Sequence, residues 1–147
     1  MKETRSGFLM TRIKQVSGRR FNKLLTDSGI DAFNGAQGRI LYVLWQREGI
    51  SISELAEATG LAKTTLTSML DRMEQAGLVR REPTPGDRRR TQLSLTVEAR
   101  ALRADYDRIS DTMSEIYFEG FTDAEIDQFE SYLLRILSNL EGENDRG

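Results

Sequence analysis

The stretch SISELAEATGLAKTTLTSMLDRMEQAGLVRR (51–81) carries helical punctuation at close intervals, and directly after it the hydrophobic period changes from about 3.6 to 2. Few folds accommodate that order. Ser51 is a helix N-cap and Glu54, three residues on, completes a capping box, which predicts a short helix from Ile52 to about Thr59. Gly60 suits the left-handed position after a helix end. Leu66, Met69, Leu70 and Met73 then recur at i, i+3, i+4 and i+7, until Gly77 stops the second helix. Ala56 is small where the first helix must let the second approach, and Leu66 points its side chain into the core. The span 52–76 therefore reads as a helix-turn-helix.

Two short strands follow, LVRRE (78–82) and TQLSL (91–95), with Leu93 and Leu95 on one face and Gln92 and Ser94 on the other. PTPGDRRR lies between them as the hairpin loop, so 78–95 forms a basic wing. Helices flank this unit. An apolar stripe (Leu9, Ile13, Val16, Leu24) runs along 7–27, and Asn34 with Gln37 caps a helix whose apolar set is broad enough for deep burial. Thr96 caps a helix of roughly 24 residues, about 36 Å long. Its Leu102, Tyr106, Ile109, Met113 and Ile116 alternate spacings of four and three, as in a coiled-coil seam. Thr122 and Glu125 cap a last helix with apolar residues from Ile126 to Leu140. The fold class expected is mainly α with a small β-wing: one winged helix-turn-helix domain over 4–142. The helices of 7–27 and 97–141 carry apolar faces that a small core cannot cover, which a symmetric homodimer would bury.

Charge narrows the function. The net charge of −2 conceals 18 Lys and Arg against 11 Asp and Glu in residues 1–104, and 3 against 12 in residues 105–147. A basic segment beside an acidic one points to nucleic acid as a partner of the former. The chain has neither Cys nor His, which removes thiolate chemistry, Cys/His metal sites and cysteine-based redox sensing. No phosphate-binding glycine loop is present and the carboxylates lack an apolar setting, so an enzyme is rejected, with no cofactor and no metal expected. The longest apolar run, ILYVLW (40–45), is too short to span a membrane, and a cytoplasmic protein is the expectation.

In the second helix of the helix-turn-helix, the face opposite Leu66 and Leu70 is short and hydroxyl-rich. It presents Lys63, Thr64, Thr65, Thr67, Ser68 and Arg72, side chains that can bond phosphates or base edges close against a duplex. Arg88, Arg89 and Arg90 on the wing suit the electronegative minor groove and its bordering phosphates. Asp87 would repel phosphate, and its expected role is to support the wing by pairing with an arginine, Arg89 being the first candidate. The alternative is a winged-helix module that binds protein without binding DNA.

SISELAEATGLAKTTLTSMLDRMEQAGLVRR running directly into DRRRTQLSLT resembles the MarR family of bacterial transcriptional regulators over nearly the whole chain. The family's wing signature (Asp, any residue, Arg, then a strand ending in Leu-Thr) falls on Asp87, Arg89, Leu95 and Thr96. The resemblance implies that the helix from Lys63 enters the major groove of a double-stranded DNA operator and that Arg89 reaches the minor groove. It also implies a homodimer built by the terminal helices, repression as the commoner mode, and release by a small aromatic or anionic effector. Tyr42 and Trp45 lie on the helix that could line an effector crevice, with Arg12 or Arg20 to meet an acid. Ordinary packing is the preferred reading of the aromatics, and no ligand residue is assigned.

Overall fold

The computed structural model describes residues 1–144, which fall into two compact units, 1–110 and the segment from Asp111 onward. In the first unit α1 (Ser6–Asp27) precedes α2 (Gly35–Gln46), β1 (Ile50–Ser51), α3 (Ile52–Thr59), α4 (Lys63–Gln75), β2 (Val79–Thr84), β3 (Asp87–Leu95) and α5 (Val97–Ala101). Then α6 (Arg103–Tyr117) crosses the division between the units and α7 (Asp123–Asn144) belongs to the second. No described helix is long and apolar enough to cross a membrane.

Local chemistry places most of these ends. Asn34 Oδ1 accepts the Gln37 amide at 2.8 Å while Gln37 Oε1 accepts the Asn34 amide at 3.1 Å, which closes the box that starts α2. Ser51 and Glu54 do the same for α3, and Thr122 and Glu125 for α7. Gly60, at φ 73°, turns α3 sharply enough for α4 to pack back against it. Helices of 8 and 13 residues are marginal alone and are held by burial. Leu41 and Leu44 of α2, Leu55 of α3, and Leu66, Leu70 and Met73 of α4 are fully buried, as is Leu93 of β3. Each contributes roughly 1.5–3 kcal/mol relative to exposure.

Three features differ from the sequence reading. The two-residue β1 was not foreseen; it pairs with β3 through Ile50 with Leu93 and Ser51 with Gln92, giving a three-stranded antiparallel sheet in the order β1-β3-β2. The strands of the wing also run further than expected, so the eight-residue loop shrinks to Pro85 and Gly86. Finally, the single helix expected after Thr96 is two, because the chain tightens at Leu102, whose amide bonds the Ala99 carbonyl three residues back.

Aromatic rings fill the first unit around Tyr106. Its centroid lies 5.2 Å from that of Trp45, 5.8 Å from those of Phe21 and Tyr42, and 6.2 Å from that of Phe33. Trp45 Nε1 donates to the Ala99 carbonyl at 2.9 Å, the partner that a half-buried indole requires.

Glu48 joins α2 to the wing and to α5. One carboxylate oxygen accepts the Leu95 amide at 2.8 Å, and the pair of oxygens takes Nε and an amino group of Arg100 at 3.1 and 2.9 Å. The Arg100 hydrogen bonds, helped by the Leu95 amide and opposed by burial, hold the Glu48 carboxyl below its usual 4.5. A carboxyl depressed in the folded state stabilises it above the unfolded value, and that contribution disappears as pH falls through the folded one. Glu48→Gln is therefore expected to cost about 1 kcal/mol at neutral pH, given the partial exposure of the pair. Thermal melts from neutral to acidic pH should show a shallower acid decline in the variant, and parallel curves would deny Glu48 this role.

Candidate nucleic-acid interface

The first half of α4 is solvent-facing. Lys63, Thr64, Thr65, Thr67, Ser68 and Arg72 are all exposed, while Leu66 and Leu70 between them are buried. The burial pattern thus divides the helix as its 3.6-residue period requires. The Thr67 hydroxyl donates to the Lys63 carbonyl at 2.8 Å, which leaves its oxygen to accept from outside. At its N-terminus α4 differs from its neighbours. α2, α3, α5 and α7 begin on capping side chains (Asn34, Ser51, Thr96 and Thr122), whereas α4 begins on Ala62 with none. The amides of its first turn are therefore open, at the positive end of the helix dipole.

The wing sets its arginines by register. Val79, Arg80, Arg81, Glu82 and Pro83 of β2 pair with Leu95, Ser94, Leu93, Gln92 and Thr91 of β3, after which Thr84 pairs with Asp87. Arg88, Arg89 and Arg90 have no cross-strand partner in that ladder, so the arginine run is itself the bulge. Gly86 at φ 83° meets the demand of a turn led by Pro85. The expected partner of Asp87 needs correction. Its Oδ1 accepts the backbone amide of Arg89 at 3.0 Å, and its Oδ2 stands 3.7 Å from Nε of Arg90. The side chain that it meets is Arg90, because at two residues' separation a short carboxylate closes on the backbone instead. Among the described residues no ion pair is formed by Arg88 or Arg89, and both are exposed.

A cluster that sequence reasoning missed joins the two elements. Arg81 of β2 donates from Nε to Glu74 at 3.3 Å and from an amino group to Asp71, both carboxylates lying on α4. Its backbone amide also reaches Glu74, at 3.1 Å. The only signal in the sequence was an i, i+3 acid pair seven to ten residues before an arginine, which ordinary surface charge also produces. Next to this cluster an open groove of about 810 Å³ is lined by residues that include Gly77, Leu78, Arg80 and Leu102.

Comparison with known proteins agrees with this arrangement. A family model described as MarR family matches residues 33–91, from the approach to α2 through most of the wing. The transcriptional regulator HosA of Escherichia coli O127:H6 is 36% identical over 103 residues, 70% of this chain and 76% of that protein. The HTH-type transcriptional regulator TtmR of Methylorubrum extorquens is 32% identical over 99 residues, 67% of this chain; the match spans only 48% of that relative's length. Among solved structures, a cysteine-to-serine mutant of MarR from E. coli, complexed with operator DNA, superposes with a TM-score of 0.79 at 26% identity. That likeness covers 89% of this chain and 92% of the other. On the sequence match, the winged helix-turn-helix and the extent of the likeness to HosA and MarR, the chain belongs to the MarR family of transcriptional regulators.

Proposed function

We propose that the chain binds a pseudo-palindromic double-stranded DNA operator as a homodimer, with 4–142 acting as one functional domain, and represses transcription by occupying that site. The observation that carries the reading is the combination of an uncapped, hydroxyl-rich α4 face with exposed arginines that have no cross-strand partner on the adjoining wing. Open amides, Lys63, Thr64 and Thr65 suit phosphate at the groove edge; Thr67, Ser68 and Arg72 suit base edges or the far strand. Arg89 is the minor-groove probe, and Arg88 and Arg90 are phosphate contacts, with Asp87 supporting the turn. That the MarR mutant so similar in fold is complexed with operator DNA supports DNA as the partner.

Dimerisation is supported by apolar faces that each terminal helix leaves open. α1 exposes Phe8, Met10 and Ile13, and α7 exposes Tyr132, Leu134, Leu137 and Leu140. Two-fold symmetry would place two α4 helices on half-sites about one helical turn apart, roughly 34–36 Å. Release by a small aromatic or anionic effector follows from the family resemblance alone.

The test is fluorescence anisotropy of a labelled random-sequence duplex titrated with the chain over a salt series. Binding that weakens linearly in log–log form, by about 0.9 per phosphate contact, is expected. No binding at low salt would favour the protein-binding module instead.

A further inference from the structure

Beyond the residues that would touch DNA, α4 and the wing must face one duplex at a fixed mutual angle. The chain between them is short and turns at Gly77, whose φ of 75° is one that a side chain would strain. Leu78 and Val79 anchor the start of β2 in the core. On the other side of the sheet, β1 holds β3 only at Gln92 and Leu93. Past that level the hairpin projects with no further strand beside it, so its direction depends on whatever ties β2 at the same height. That tie is Arg81.

Arg81 stands opposite the buried Leu93 in the ladder, so its side chain leaves the sheet on the core side. The apolar stem covers the core margin and the guanidinium emerges between Asp71 and Glu74, with 26% of the side chain exposed. Since β2 is an edge strand, the Arg81 amide would otherwise face water; Glu74 accepts it and the guanidinium Nε together. One carboxylate thus fixes both backbone and side chain of the strand to the helix, and Asp71 fixes the other end of the fork. These hydrogen bonds hold the Glu74 carboxyl low and the Arg81 guanidinium high, so this pair stays charged at neutral pH.

We infer that Arg81 is a positioning residue: by clamping the C-terminal half of α4 to the first strand of the wing, it sets the angle at which both elements reach one DNA duplex. The inference rests on the DNA-reading function proposed above. Two reading elements at a fixed angle gain from each other's binding as linked sites do, and that gain falls when the angle is free.

The experiment uses the best-bound duplex selected by the wild-type chain from a random pool. Two variants are compared with wild type, Arg81→Met, which keeps an apolar stem, and the double variant Asp71→Asn with Glu74→Gln. Each is expected to bind about tenfold or more weakly, and combining all three changes should cost little beyond either. The double variant removes two negative charges, which simple electrostatics would reward with tighter binding. Its weakening is the diagnostic result, and it stands even if Arg81→Met fails to fold. Arg81→Met should also leave the salt slope unchanged, since no phosphate contact is lost. Equal or tighter binding by the double variant overturns the inference, and so does a slope reduced by about one in Arg81→Met, which would make Arg81 a phosphate contact. Absence of wild-type binding would instead overturn the DNA-reading function itself.

Discussion

Replacing Arg88, Arg89 and Arg90 together by alanine is expected to lower affinity for a selected duplex by at least about a hundredfold near physiological salt, with the fold intact. The three side chains are exposed and lie in a bulge with no cross-strand partner, so their removal disturbs neither core nor ladder. What is lost is local. If Arg88 and Arg90 are phosphate contacts, the salt dependence flattens by about two units, while Arg89→Ala alone weakens binding through lost groove contact. A triple variant with unchanged affinity and slope would remove the wing from the DNA interface. Since Arg90 also meets Asp87, a small effect of Arg90→Ala on the shape of the turn is included in that figure.

Leu133→Asp in α7 should convert the proposed dimer to monomer. Leu133 is 40% exposed and its neighbour along the stripe, Leu140, is 62% exposed, values that leave much apolar surface uncovered within the chain. Burying a carboxylate there without a partner costs at least about 3 kcal/mol, and two-fold symmetry imposes the cost twice. Sedimentation at micromolar concentration should report a monomer, and DNA affinity should fall because one reading head has to act without the other. A variant that sediments as a dimer would place the interface elsewhere.

What the sequence made legible was chemistry between near neighbours. The capping boxes at Asn34, Ser51 and Thr122 are four-residue patterns, and each closes in the structure. The turn glycine at 60 and the alternation of Leu93 and Leu95 were equally readable, because each demand is met inside a few residues. β1 was invisible for the opposite reason: two residues show no period, and their partners Leu93 and Gln92 lie some forty positions away. The strands of the wing looked shorter than they are because Pro83 and the arginines carry no apolar alternation. The break at Leu102 has neither glycine nor proline to announce it. The candidate contact residues on α4 could be listed from the helical period alone, but the clamp at Arg81 needed the strand placed beside the helix.

A symmetric dimer that reads DNA through two copies of α4 and its wing, as proposed, must select a symmetric site. The most direct measurement is selection of bound sequences from a random duplex pool by the full chain. The expected result is an inverted repeat whose half-site centres lie about 10–10.5 base pairs apart, bound about a thousandfold or more tightly than random sequence. A single unrepeated motif, or no enrichment at all, would contradict it.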